Sequence, residues 1–311
     1  MSILNRTNDG VPSVLLTLWK CIRSNKKTYT QKELEDLCAP ASLGGNTPHQ
    51  HVRNVINRWK QIGLFIDQEA KDEPTIELAD SFNKISVDED EKTNFETFRS
   101  ACLQFVLEPS NSKGVSGQQS GPSADFCFAA SWVLSLDPFT CPCGPFESNA
   151  NNPKSGLMQV ETDHIKEIPY AFQNNTRWNG FRDWASFLGL GFGKEDNFQI
   201  DPSEAIRMRL PNVFGSENEL SQNDFLTRLA QELPVLDRGD LRTKSERRFS
   251  GAWRALKDSE VSPSLTRALL RLEREEEISI EQRGDGDRKT LLGRGYEPLS
   301  KGMSHVIRSG K

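Results

Sequence analysis

The sequence feature that most constrains the fold is an amphipathic helix near the C-terminus, followed at once by two short strands. Ser262 is a favourable N-cap and Pro263 suits the first helical position, and apolar residues then repeat at helical spacing. The segments Ile278–Glu281 and Lys289–Leu292 have strand patterns, and the glycine-rich turn at 284–286 between them is typical of a β-hairpin. A helix joined directly to a hairpin predicts the second half of a winged helix-turn-helix unit.

Residues 1–86 show the same design. Thr30 with Glu33 three residues later predicts a capping box, and Leu34 and Leu37 of the helix that follows are expected to face inward. The predicted elements are helices at 14–22, from 30 and at 48–62, and strands at 64–66 and 75–78. Three helices and a hairpin in about 80 residues predict an N-terminal winged helix-turn-helix.

The middle of the chain repeats this pattern weakly. Trp184–Phe192 resembles Trp59–Phe65, since in both a tryptophan precedes Gly-Leu and an aromatic residue. We therefore predict a degenerate winged-helix unit at 94–214, with irregular inserts at 109–123 and 141–156. The first insert is rich in Gly, Ser and Gln, and we interpret it as a mobile loop or linker.

The third unit is predicted at 220–311, with helices at 224–232 and 245–256 preceding the C-terminal helix and strands. The predicted fold class is thus mainly α with small β-hairpins, arranged as three tandem winged helix-turn-helix units.

Charge is distributed unevenly along the chain. Residues 86–220 carry 10 basic and 19 acidic side chains, whereas residues 221–311 carry 18 and 15. Contact with nucleic acid is therefore expected at the two ends of the chain and not in the middle. No apolar run is long enough to span a membrane and no signal pattern opens the chain, so we expect a cytoplasmic protein without membrane contact.

Basic and amide side chains on the outward faces of the predicted recognition helices, with a basic wing tip, are the candidates for DNA contact. They are Arg53, Asn57 and Lys60 in the first unit and Arg267, Arg271, Arg274, Arg283, Arg288 and Lys289 in the last. Side chains of these types contact base edges and phosphates. The middle unit has Asn179, Asp183 and Ser186 at the corresponding positions, without positive charge.

The acidic neighbours of the wing-tip cations leave other interpretations of these candidates open. Asp285 and Asp287 lie beside these cations, so an ordinary solvated face or a protein-binding face is also compatible with the sequence.

The middle unit is rich in aromatic residues, whose helical spacing indicates core packing and not base stacking. They are Phe172, Trp178, Phe181, Trp184, Phe187 and Phe192.

The sequence contains no motif that indicates catalysis or a cofactor. It lacks a phosphate-binding loop, a Gly-x-Ser-x-Gly elbow and an HExxH motif. Cys141 and Cys143, with Cys127 and His164, match the spacing of a zinc site poorly. We therefore expect no catalytic residues, no metal and no cofactor.

Four short motifs carry a resemblance to a known family. They are Leu4–Asn5, Asp9–Leu15 (DGVPSVL), Ile200–Ile206 (IDPSEAI) and Leu210–Phe214 (LPNVF). Together with the three-unit layout, they make the chain similar to the DpdG family, found in bacterial gene clusters that insert 7-deazaguanine derivatives into DNA and restrict unmodified DNA. The resemblance implies an accessory role without catalysis in the restriction or antiphage arm, beside ATPase and helicase components.

These features predict a DNA-binding adaptor of a bacterial modification and restriction system, with double-stranded DNA and other proteins of the defence complex as partners. An assembly factor that docks on an ATPase or helicase without touching DNA is the main alternative. A transcription regulator is a second alternative, although three units in 311 residues leave no room for a sensor domain.

Overall fold

A computed structural model gives the arrangement of the chain. It describes residues 3–4, 12–25, 28–40, 48–69, 73–83, 91–117, 121–141, 156–166, 168–193, 197–284 and 287–309. Part of the Asp9–Leu15 motif, Cys143, and the wing-tip residues Asp285 and Gly286 lie outside these ranges. The described chain is mostly helical with small sheets, which confirms the predicted mainly α class with small β elements.

The N-terminal elements form a three-helix group against a small sheet. In chain order they are α1 (Pro12–Asn25), β1 (Tyr29–Thr30), α2 (Gln31–Cys38), α3 (Pro48–Ile62), β2 (Phe65–Gln68), β3 (Thr75–Leu78) and the short α4 (Asp80–Asn83). The sheet is antiparallel with strand order β1-β3-β2. Both hydrogen bonds of the predicted Thr30–Glu33 capping box are present, and Gly63 ends α3 with φ of 97°.

One expectation for α2 is wrong. Leu34 is fully buried as expected, but 53% of Leu37 is exposed to solvent. The reason is geometric, because α2 is only two turns long and buries one narrow stripe against α1 and α3.

The middle elements surround one central helix. They are α5 (Glu91–Leu107), α6 (Ala124–Val133), α7 (Leu157–His164), α8 (Asn175–Leu188), β4 (Gly191–Phe192) and β5 (Gln199–Ile200). Asn174 caps α8 as an N-cap, and β4 pairs with β5. At Gly180 of α8 the backbone of Leu4 approaches so closely that a Cβ would lie 2.2 Å from its carbonyl oxygen.

Aromatic packing connects α8 to its surroundings. The rings of Trp184 and Trp59 have centroids 5.5 Å apart, which joins α8 to α3. Phe181 packs against Phe126 of α6, and Trp178 against Phe198 beside β5. Of the six aromatic residues expected in a core, four are buried, whereas Phe187 is partly buried and Phe192 is 40% exposed.

The segment interpreted as a mobile linker is packed where the structure describes it. The side-chain amide of Asn111 donates hydrogen bonds to the carbonyls of Ile62 and Phe105, each at 2.8 Å. The hydroxyl of Ser123 donates to the carbonyl of Val106 at 2.6 Å. Its polar residues thus satisfy backbone carbonyls at the ends of α3 and α5, an arrangement that composition does not reveal.

The C-terminal elements combine helices with two small sheets. They are α9 (Ser203–Phe214), β6 (Glu219–Ser221), α10 (Gln222–Glu232), α11 (Asp240–Glu246), β7 (Glu260–Val261), α12 (Pro263–Arg274), β8 (Ile278–Glu281), β9 (Lys289–Leu292), β10 (Pro298–Met303) and β11 (His305–Arg308). Ser262 caps α12 as predicted. The helix predicted at 245–256 is wrong, because helix α11 ends at Glu246 and the chain then turns to bury Phe249 and Trp253.

The predicted β8–β9 hairpin is also wrong. Strand β8 pairs with β11, and β9 pairs with β10 and, in parallel, with β7. Glu281 of β8 pairs with His305 of β11, and Lys289 of β9 pairs with Met303 of β10. Strands β10 and β11 follow each other almost without a break, so one C-terminal segment supplies the partners of β8 and β9. Its long-range pairing replaces the local one that the glycine-rich turn suggested.

We predict that Trp184→Ala lowers the free energy of unfolding by about 3–5 kcal/mol, because it removes a fully buried ring at the contact between α8 and α3. Urea denaturation of the full chain measures this loss. Phe139→Ala is the control, since 49% of Phe139 is exposed and its loss should cost far less. Equal losses for the two variants would contradict the central role of α8.

Candidate nucleic-acid interface

Helix α3 has two chemically different faces. Val55, Ile56 and Trp59 are fully buried against the rest of the chain. On the opposite side, amide side chains recur at intervals of four, three and four residues: Gln50, Asn54, Asn57 and Gln61. At about 100° per residue these four lie within a narrow stripe opposite the buried face, and the stripe is about 16 Å long.

The amides of this stripe keep hydrogen-bonding groups free. Gln50 donates to the side-chain oxygen of Asn54 at 2.8 Å, and Arg58 donates to the side-chain oxygen of Gln61 at 3.0 Å. Asn57 has no hydrogen-bond partner among the described residues. Of these four amides the sequence predicted only Asn57 as a contact residue, although their spacing was a signal that could have found the whole stripe.

The candidate Arg53 lies at the edge of this stripe and forms an ion pair with a buried carboxylate. Its Nε and Nη2 donate to the two carboxylate oxygens of Glu35 in α2, at 2.8 and 2.7 Å. Glu35 is 4% exposed, and its hydrogen bond from Arg53 holds the pKa of its carboxyl below the ordinary value. Arg53 therefore fastens α3 to α2 while 47% of its side chain remains exposed.

Lys60, in the last turn of α3, is likewise paired. Its ammonium group binds the carboxylate of Asp67 on β2. Further along the chain between β2 and β3, Glu69 and Glu73 are exposed. The described part of the β2–β3 hairpin next to α3 is thus acidic, and Arg53 and Lys60 are largely neutralised by their carboxylate partners.

Two of the C-terminal candidates are turned towards the middle of the chain. Arg267 donates to the side-chain oxygen of Gln199 at 2.7 Å, and its guanidinium lies over the ring of Phe139 at 5.5 Å. Arg271 binds Asp201 at 3.1 Å and lies over the ring of Phe192 at 5.5 Å. The face of α12 on which both residues lie is therefore covered by residues of the middle segment.

The four other C-terminal candidates have different environments. Arg283 binds both oxygens of Glu219 at 2.6 and 3.0 Å and also Glu281, and these carboxylates raise its pKa. Lys289 is buried and donates to the carbonyl of Asp258. Arg274 and Arg288 are exposed and have no ion pair with any described residue. The six candidates thus do not form one cationic surface.

Among the described residues, no group of three or more His, Cys, Asp or Glu side chains could hold a metal ion. Cys127 is buried and donates to the carbonyl of Val106, and burial raises the pKa of its thiol to about 12. Burial lowers the pKa of His164. The described helices also include none that is long and apolar enough to cross a membrane.

The described structure is that of a helical protein with small sheets, in which helix α3 presents a polar stripe of exposed and partly exposed amides. The chain belongs to the DpdG-like family, whose sequence model matches residues 1–286. The resemblance carried by the short motifs is thereby confirmed, and it indicates involvement in DpdG-associated modification systems. No curated protein and no solved structure matches the chain significantly.

We predict that Glu35→Gln lowers the melting temperature at pH 7 and that this difference disappears in acid. Because the folded pKa of Glu35 is below 4.5, the carboxylate stabilises the fold fully above that pH and loses its effect as pH falls through the folded value. Melting curves at a series of pH values measure the difference from the unmodified protein. Asp36→Asn is the control at an exposed site, and an equal pH dependence there would contradict the role of the Glu35–Arg53 pair.

Proposed function

We propose that this protein is a non-catalytic adaptor of a DpdG-associated DNA modification and restriction system, and that it contacts double-stranded DNA through helix α3. The observation that carries the proposal is the stripe of four amides on that helix, in which Gln50 and Gln61 are exposed and Asn54 and Asn57 are partly exposed. Asn and Gln are side chains that read base edges in the major groove, which is wide enough to admit an α-helix. The exposed part of Arg53 and the exposed Lys32 of α2 are placed to contact phosphate.

The topology of the N-terminal group supports this assignment. Its order is helix, strand, helix, helix, strand, strand, and its sheet has the order first, third, second. We propose that it is a winged helix-turn-helix in which α3 is the recognition helix, because α3 is the third helix and precedes the wing strands. The same helix carries the amide stripe, so topology and surface chemistry agree.

The C-terminal elements support the proposal of a second winged-helix unit, which begins at α9 and not at the expected residue 220. Strands β6, β11 and β8 have the order β6-β11-β8, which repeats β1-β3-β2. Helix α9 packs against α10 and α12 in the position that α1 occupies against α2 and α3. We propose that α9 is the first helix of this unit, with β7, α11 and the β9–β10 pair as insertions.

In this unit the recognition-helix position is occupied by α12, whose Arg267 and Arg271 bind Gln199 and Asp201 of the middle segment. The unit therefore serves as a scaffold in the arrangement described, and the degenerate middle unit is the part that docks on it. DNA contact is assigned to the N-terminal unit alone.

A second function, assembly with a protein partner such as an ATPase or helicase, is favoured by one observation. The N-terminal unit exposes two large apolar side chains, Leu37 at 53% and Ile66 at 43%, beside an acidic wing. Apolar side chains with depleted local positive charge suit a protein surface better than DNA.

We predict that Asn54→Ala with Asn57→Ala weakens binding of the full chain to duplex DNA by about tenfold or more. Asn57 has a donor and an acceptor for a bidentate contact with a base, which is worth about 1–3 kcal/mol, and Asn54 has a further donor. Fluorescence anisotropy with a labelled duplex at two salt concentrations measures it. Because Arg53 and Lys60 are paired with carboxylates, the affinity should fall only shallowly with salt.

Two variants serve as controls. Gln104→Ala with Gln231→Ala removes two exposed amides from other helices and should leave the affinity unchanged. Arg267→Gln with Arg271→Gln should also leave it unchanged, while lowering the melting temperature through loss of the contacts to Gln199 and Asp201. Loss of DNA binding in the arginine variant alone would reject the assignment to α3.

A further inference from the structure

We infer that helix α3 recognises adenine edges in the major groove of duplex DNA in preference to guanine edges. The inference rests on the proposed DNA contact of this helix and adds the chemical class of its target. It follows from which hydrogen-bonding groups on the face of α3 are free and which are already paired.

The free groups of the stripe include both donors and acceptors. Among the described residues, nothing binds either group of Asn57, the side-chain amide donor of Asn54 or the side-chain oxygen of Gln50. An adenine edge presents one acceptor, N7, and one donor, the N6 amino group. A single carboxamide matches that pair, because its amino group donates to N7 while its oxygen accepts from N6.

A guanine edge requires different chemistry. It presents two acceptors, N7 and O6, which Arg or Lys satisfies by donating twice. On this face the Arg53 Nε and Nη2 donors are bound to the two oxygens of Glu35, and the Lys60 ammonium is bound to Asp67. One carboxamide offers a donor for only one of the two guanine acceptors and leaves its own oxygen opposed to the other.

The length of the stripe sets the extent of the target. Eleven residues separate Gln50 from Gln61, so the stripe spans about 16 Å along the helix. With base pairs about 3.4 Å apart, the stripe lies over a segment of about five base pairs. The preferred target is therefore a short run that contains adenine at several neighbouring positions.

The test compares three labelled duplexes of equal length with the full chain: one with an adenine-containing central segment, one with G·C pairs in that segment, and one in which N6-methyladenine replaces its adenines. The methyl group blocks the N6 donor in the major groove and leaves the minor groove unchanged. We expect the first duplex to bind about tenfold or more tightly than the other two. The preference should disappear in Asn54→Ala with Asn57→Ala and persist in Gln104→Ala with Gln231→Ala.

Each other outcome has a separate meaning. Equal binding of all three duplexes overturns the adenine preference and leaves the proposed DNA contact standing. Tight binding of the N6-methyladenine duplex also overturns it, because a preference that survives methylation arises from groove shape. Binding of none of the duplexes overturns the DNA contact and the preference together.

Discussion

The rest of the structure depends on the aromatic packing of helix α8. Its Trp184 lies against Trp59 of α3, its Phe181 against Phe126 of α6, and its Trp178 against Phe198 beside β5. Large buried rings dominate the energetics of a protein core. Ring pairs at these distances stabilise the fold further, beyond the effect of the apolar area that they bury. The N-terminal and middle elements thereby share one core, and helix α3 is held by its apolar side while its amide stripe lies on the opposite side, exposed or partly exposed.

Ion pairs then decide what each outer helix can do. On the outward face of α3, Arg53 and Lys60 are bound to Glu35 and Asp67, which leaves uncharged amides as most of the available chemistry. On α12, Arg267 and Arg271 are bound to the middle segment through Gln199 and Asp201, which leaves little of that helix face available. Two helices with similar outward residues in the sequence thus have different surfaces, because their carboxylate partners come from different parts of the chain.

Local signals in the sequence were sufficient for much of the fold. The Thr30–Glu33 capping box, the Ser262 N-cap and the stop at Gly63 act within a few residues, so the sequence places them correctly. Non-local pairing was not predictable in the same way. The prediction of a β8–β9 hairpin is wrong because the segment 298–308, which has no strong strand pattern, pairs with both β8 and β9. For the candidate site, the sequence marked Arg53, Asn57 and Lys60 on α3, but nothing local showed that Arg53 and Lys60 are paired with carboxylates.

The sequence by itself determined the family, the helical class, and the helix caps and apolar stripes, because these depend on residue type and short-range spacing. Tertiary structure alone decided which strands pair, where the linker-like segment packs, and which cations are neutralised. The physical reason is that hydrogen-bond partners and carboxylates for these groups are supplied by residues far along the chain, such as Asp201 for Arg271. The surface chemistry of α3, an amide stripe beside paired cations, is therefore a property of the folded chain and not of the helix sequence alone.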